Sequence, residues 1–338
     1  MKVINARNVN EALQLGVNYI FQEGVTVNSR NGMTLEAPTP VATVYQKPNE
    51  RVLIDPVRDA NPFFHFFESL WILAGRKDVE FLTEFNKQMA LYSDDGEEFN
   101  APYGYRMRYG VNIDNDQILN VISILNEDKD SRQAVIQIWD EADLYKKTKD
   151  KACNMSVVFK IRKDNKLHIT VYNRSNDMLW GAYGANVVQF SMLQEYVAAA
   201  LDRKIGTYTQ VSNSYHVYLT GKGGELTQKM KERHFNRGII FDPYTTDEMV
   251  NMSIDPYDFE AFDHDLRLFF DSYDEDRLEA CLDKTYNSPY FTMLVLPMLR
   301  TFRTHKLIGP GEALRQLDSI GSDDWAIACE QWLRNRIK

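Results

Sequence analysis

Three cysteines in 338 residues, Cys153, Cys281 and Cys329, are too few and too widely separated for a disulfide framework or a cysteine-rich metal centre. No metal is expected, and a reducing compartment is the simpler setting. Long apolar runs are missing too. Nothing approaches the ~18 apolar residues of a membrane span, and the opening MKVINARNVNEALQLG is polar where a secretory leader must be apolar. The expectation is a soluble, cytoplasmic protein (host cytoplasm if viral) with no membrane partner. Positive charge is in deficit. With 39 Lys plus Arg against 48 Asp plus Glu, the net charge of −9 argues against gripping a nucleic-acid backbone along a whole face, yet leaves room for a basic pocket around one phosphate.

What the chain holds is a globular composition, 44% hydrophobic and 12% aromatic, which makes disorder a poor reading and suits one large domain or two. Residues 9–23 place Ala12, Leu13, Gly16, Val17, Ile20 and Phe21 on one helical face, and Gly24 stops the run. Asn61 and Pro62 supply a cap and a first-turn proline for a second helix running to Gly75. That helix is apolar nearly all round and hence buried. Segment 134–139 and the pair 156–162 and 167–172 read as strands, with residues 163–166 as a hairpin turn. A helix over about 187–201 follows, then β character over 206–219. Beyond it the chain is acidic, with candidate helices at about 257–272, 274–284, 288–303, 310–319 and 322–336. No internal repeat is present, and the composition shift near 240–255 is the one candidate boundary.

Several residues could carry chemistry. Cys153 sits where a loop meets a strand, crowded by Lys146, Lys147, Lys149 and Lys151. Cations beside a thiol depress its pKa and make it a nucleophile, although a buried small hydrophobe is the commoner use of such a cysteine. Cys281 and Cys329 fit helix cores. Arg174 and Ser175 follow a strand and make either an anion pocket, since guanidinium holds phosphate oxygens through paired donors, or a surface turn. In GAYGAN, from Gly181 to Asn186, small residues permit close approach of a planar ligand. Asn186 there either caps the next helix or reads a pyrimidine amide edge with its donor and acceptor. Glu68 interrupts a helix of Phe, Leu and Trp, so it is buried with a raised pKa or faces a cleft, and either makes it a general acid/base candidate. His216 and Tyr218 share one strand face, as a ligand-binding or a structural pair.

Taken in order, these pieces resemble the thymidylate synthase family, which includes the pyrimidine nucleotide hydroxymethylases. The resemblance runs from the first helix to about residue 235 and is most specific in CNMSVVFKIRKDNKLHITVYNRSNDMLWGAYGANVVQFSMLQEYVA. It implies an α+β (α/β three-layer) fold with a mixed sheet and flanking helices. Residues 1–245 would form the catalytic domain and 246–338 a helical extension packed on it. It also implies that Cys153 adds to C6 of a pyrimidine nucleoside monophosphate, that Arg30 (mobile), Arg174 and Ser175 bind its phosphate, and that Asn186 reads the base. His216 and Tyr218 would hold the sugar hydroxyl, and Glu68 and Tyr103 would organise water and proton transfer. Asp177, with Gly181 beside it, would meet the pterin of 5,10-methylenetetrahydrofolate. Arg132 would reach the phosphate of a neighbouring subunit, which implies a homodimer with shared active sites.

The departures from that pattern point to a product. Pro-Cys-His becomes Ala152-Cys153-Asn154, the paired arginines become Arg132-Gln133, and the loop before Asn186 is one residue longer. The tryptophan-rich folate wall is replaced around 86–93, and no closing tail is recognisable in 332–338. A dry wall and a tail keep water away from a reactive methylene, so losing both favours hydroxymethylation over methylation. Asn186 favours dUMP, with dCMP or CMP as other substrates. A thymidylate synthase making dTMP and a non-catalytic nucleotide- or RNA-binding homologue are the alternatives.

Overall fold

The computed structural model describes residues 1–110, 115–237, 242–246 and 249–337. The composition shift near 240–255 thus lies partly outside the described residues, as does Lys338. Among them, eight strands form one mixed sheet: β1 (Lys2–Ala6), β2 (Val25–Ser29), β3 (Gly32–Glu36), β4 (Val41–Tyr45), β5 (Val135–Gln137), β6 (Asn154–Ile161), β7 (Lys166–Asp177) and β8 (Lys204–Tyr218). The order is β1-β4-β8-β7-β6-β5, and the β2–β3 hairpin joins the end of β8 through β3. β7 runs parallel to β8 and antiparallel to β6.

The expected hairpin is β6–β7, turned by Asn165 in the left-handed region at φ 59°. β7 continues through Asp177, so Arg174 and Ser175 lie in the strand rather than in a turn after it. Backbone pairing with β8 extends the strand past the point where its apolar alternation ends. Strands β1 to β4 left no signal in the sequence reading. Each has five residues, and β4, VATVY, is buried almost throughout, so it shows no alternation.

Helices flank the sheet: α1 (Val9–Glu23), α2 (Pro62–Leu73), α3 (Val79–Phe85), α4 (Tyr103–Tyr109), α5 (Gln117–Glu127), α6 (Asn186–Ala200), α7 (Gly221–Arg237), α8 (Phe259–Asp283), α9 (Leu296–Leu307), α10 (Pro310–Leu314) and α11 (Asp323–Arg334). The Asn61 side chain caps α2 by accepting from Phe64 N–H at 3.1 Å, Pro62 fills the first turn, and all twelve residues are buried. The two C-terminal helices expected to divide near 273 meet inside α8 at a kink, where Asp276 and Arg277 leave helical geometry. Cys281 and Cys329 are buried, as expected.

The outer face of α2 is covered by the C-terminal helices. Phe63 meets Phe302 and Trp332 at ring distances of 5.4 and 5.5 Å, and Phe66 meets Trp325 at 5.0 Å. Beside this aromatic seam, Arg51 pairs with Glu195 of α6, and the other Glu195 oxygen accepts from Ile254 N–H at 2.7 Å. Removing one partner of a buried pair strands the other charge, which costs about 3–5 kcal/mol. Arg51→Ala is therefore expected to lower unfolding stability by about that amount in a urea titration.

Candidate active site

The register of three strands assembles the site. Ser175 pairs with Ser214 and Asp177 with His216 across β7 and β8, while Asn154 pairs with Asn173 across β6 and β7. Residues from three separate stretches thereby meet at one end of the sheet.

Cys153, half-buried, stands just before β6 between two recesses. On one side its Sγ lies 3.8 Å from Arg174 Nη2, and the Arg174 Nε and Nη2 donate to the carbonyls of Ala152 and Lys151 at 2.8 and 3.1 Å. Those two bonds fix the guanidinium beside the sulfur. On the other side its backbone N–H donates to Tyr103 Oη at 3.4 Å. Burial pushes the thiol up, and Arg174 and then Arg30 only partly offset it. The depressed thiol expected from the four neighbouring lysines is corrected. They are close in sequence, but none of them lowers it: Lys149, for one, donates to the Ser93 carbonyl at 3.0 Å.

The first recess, about 270 Å³, is lined by Arg30, Lys151, Arg174, Ser175, His216 and Tyr218. Arg30 projects from the tip of the β2–β3 hairpin, where Gly32 takes φ 110°, and is exposed. His216 and Tyr218 contact edge to face at 5.4 Å. Two guanidiniums, a hydroxyl and an imidazole around one cleft suit a phosphate ester on a sugar. The second recess, about 160 Å³, is lined by Glu68, Tyr92, Tyr103, Asp150, Asn186 and Gln189. Burial pushes Glu68 up from 4.5 to about 7, with a hydrogen bond from Gln189 opposing, and its Oε2 has no partner among the described residues. Burial also pushes the Tyr103 phenol well up. Asn186 does not cap α6. Its Nδ2 donates instead to Asn176 Oδ1 at 3.1 Å.

At the rim, Asp177 Oδ1 accepts from the N–H groups of Leu179 and Trp180 at 2.8 and 2.6 Å, turning the chain into an irregular segment that carries Gly181. The Trp180 indole, 48% exposed, lies 4.2 Å from the guanidinium of Arg58, which is buried and donates to the Leu179 carbonyl at 2.8 Å. Segment 86–93 supplies Met89 and Tyr92 to the second recess. Arg132 is exposed before β5 and lines neither recess. Asn176, Asp150, Gln189, Tyr92 and Trp180 escaped the sequence reading. Only Trp180 carried a usable signal, a lone indole three residues past Asp177.

A sequence profile of thymidylate synthase matches residues 14–237. The chain belongs to the thymidylate synthase family. Within this family it is 39% identical to a deoxyuridylate hydroxymethyltransferase of Pseudomonas phage M6, over 99% of this chain and 95% of the phage protein. It is 40% identical to one of Bacillus phage SP01, over 63% and 58%. A putative thymidylate synthase of Methanosarcina acetivorans is 31% identical over 64% of this chain and 89% of its own. Similarity beyond residue 237, where the family profile ends, thus continues in the phage M6 protein.

A carboxyl group raised by burial binds its proton more tightly folded than unfolded. Its contribution to stability is therefore full below pH 4.5, falls as pH rises, and is lost above about 7. Glu68→Gln is expected to flatten that decline, measured as urea midpoints from pH 4.5 to 7.5. An unchanged slope would show that Glu68 does not titrate there.

Proposed function

We propose that the protein transfers a one-carbon unit from 5,10-methylenetetrahydrofolate to C5 of dUMP and, with water, releases 5-hydroxymethyl-dUMP. The observation that carries this reading is the near end-to-end similarity to the phage M6 deoxyuridylate hydroxymethyltransferase, extension included. The folate would supply the carbon at the oxidation level of formaldehyde. The donor set suits it. Asp177 is held by two backbone donors through one oxygen, and the Trp180 indole beside it offers a flat contact for a ring.

In this reading, Arg30, Arg174 and Ser175 hold the phosphate, and His216 and Tyr218 the sugar hydroxyl. Cys153 gives up its proton and bonds to C6, which moves an electron pair to C5 and makes that carbon nucleophilic. Asn186 holds the base edge. Glu68 and Tyr103 hold the water that enters. Its hydroxyl goes to the transferred carbon, its other proton and the proton lost from C5 leave with tetrahydrofolate, and the sulfur–carbon bond breaks as Cys153 regains its proton. Residues 1–245 act as the catalytic domain and 246–338 as a buttress behind α2.

A homodimer with shared sites completes the proposal. The sheet face carrying Ser156, Val158, Thr170, Tyr172 and Val211 remains half-buried or exposed. Arg132 stands at its β5 edge, away from its own chain's recesses, as a phosphate ligand for a partner would.

Incubation with dUMP and methylenetetrahydrofolate should give a product whose mass exceeds that of dUMP by one CH₂O unit, with tetrahydrofolate. Formation of dTMP with dihydrofolate would make the protein a synthase instead. Cys153→Ala should abolish turnover while nucleotide still binds. Mixing inactive Arg132→Ala with inactive Cys153→Ala subunits should restore part of the activity. No recovery despite demonstrated subunit exchange would rule out shared sites.

A further inference from the structure

Asn176 lies between Ser175 and Asp177 yet has no part in the chemistry above. It is 3% exposed, and its amide is the middle member of a buried chain. Gln210 Nε2 donates to the Ala182 carbonyl at 3.2 Å and to Tyr45 Oη at 3.3 Å, while Tyr45 Oη donates to the same carbonyl at 2.9 Å. Gln210 Oε1 accepts from Asn176 Nδ2, which also donates to Ser212 Oγ at 3.1 Å. Asn176 Oδ1 then accepts from Asn186 Nδ2 at 3.1 Å.

The direction of every bond in this chain follows from its far end. A backbone carbonyl can only accept, so Gln210 must turn its nitrogen toward Ala182 and its oxygen toward Asn176. Asn176 must therefore present nitrogen to Gln210 and oxygen to Asn186, and Asn186 must present nitrogen to Asn176. Rotating the Asn186 amide alone would set two oxygens against each other. Rotating all three would set the Gln210 oxygen against the Ala182 carbonyl. Both arrangements strand buried acceptors. Gly181 makes room for the chain, because a Cβ there would come within 2.4 Å of Asn176 Oδ1.

This orientation has a chemical reading. An amide edge offers one acceptor and one donor. Uracil presents a donor at N3 and an acceptor at O4, whereas cytosine presents an acceptor at N3 and a donor at the 4-amino group. For a base held in one pose, a half-turn of the Asn186 amide exchanges which of the two it suits. We infer that Asn176 and Gln210 form a relay, anchored on the Ala182 carbonyl, that locks the Asn186 amide and so sets uracil over cytosine. The inference rests on the dUMP reading. Asn176 and Gln210 are positioning residues, since neither is assigned a contact with the nucleotide.

Dissociation constants for dUMP and dCMP, measured calorimetrically without folate, test it independently of the product formed. The wild type should bind dUMP the more tightly. Asn176→Ala frees the Asn186 amide and should lower the dUMP-to-dCMP preference roughly tenfold or more. Gln210→Met, close in shape and at a residue assigned no nucleotide contact, should lower it in the same direction if the alanine variant does not fold. Equal weakening of both nucleotides in Asn176→Ala or Gln210→Met would reduce the relay to packing and overturn the inference. So would a wild type that does not prefer dUMP. An intact binding contrast without hydroxymethylated product would count against the proposed activity alone.

Discussion

Parallel pairing of β7 with β8 is the constraint on which the rest of the site depends. A strand pair in fixed register is a ruler with two faces, and a slip of one residue would send each side chain to the wrong face. Here the ruler aligns Ser175 with Ser214 and Asp177 with His216, and the antiparallel β6 brings Cys153 against Arg174. The inward face of the same strands carries Asn176, Gln210 and Ser212, so one register serves both the groups that line the first recess and the polar chain behind them.

Electrostatics within that frame are governed by burial more than by net charge. Cys153, Glu68, Tyr103 and Asp177 all have their ionised forms disfavoured by burial before any neighbour is considered. The acidic body therefore does not set the character of the site. Arg174, tied to two carbonyls, and Arg30, on a hairpin tip, are the positive charges that ease ionisation of the sulfur. A carboxyl raised to about 7 and a thiol raised by burial but eased by two arginines suit chemistry in which protons are moved between steps rather than before the first one.

Much of this was legible along the chain. The stop of α1 at Gly24, the cap of α2, the β6–β7 hairpin, the β8 segment and α6 follow from local periodicity and turn chemistry. The resemblance, reaching to about residue 235, agrees with the matched span of 14–237. What failed needed information from across the fold. Lysines adjacent in sequence to Cys153 do not lower its thiol, and the burial that raises it comes with neighbours such as Tyr103 of α4 and Arg174 of β7. The five-residue strands β1 to β4 are too short for a period to emerge, and Asn176 looks like any strand-end amide until Gln210 and Ala182 are seen beside it.

The seam between α2 and the C-terminal helices also has a kinetic side. Phe63, Phe66 and Phe67 lie early in the chain, and the rings that cover them, Phe269, Phe302, Trp325 and Trp332, lie near its far end. A chain made from its N-terminus must therefore carry an uncovered aromatic ridge through most of its synthesis, at the stage when exposed apolar surface is most prone to misassociation. Full burial of the helix that bears Glu68 therefore waits until the extension has been made.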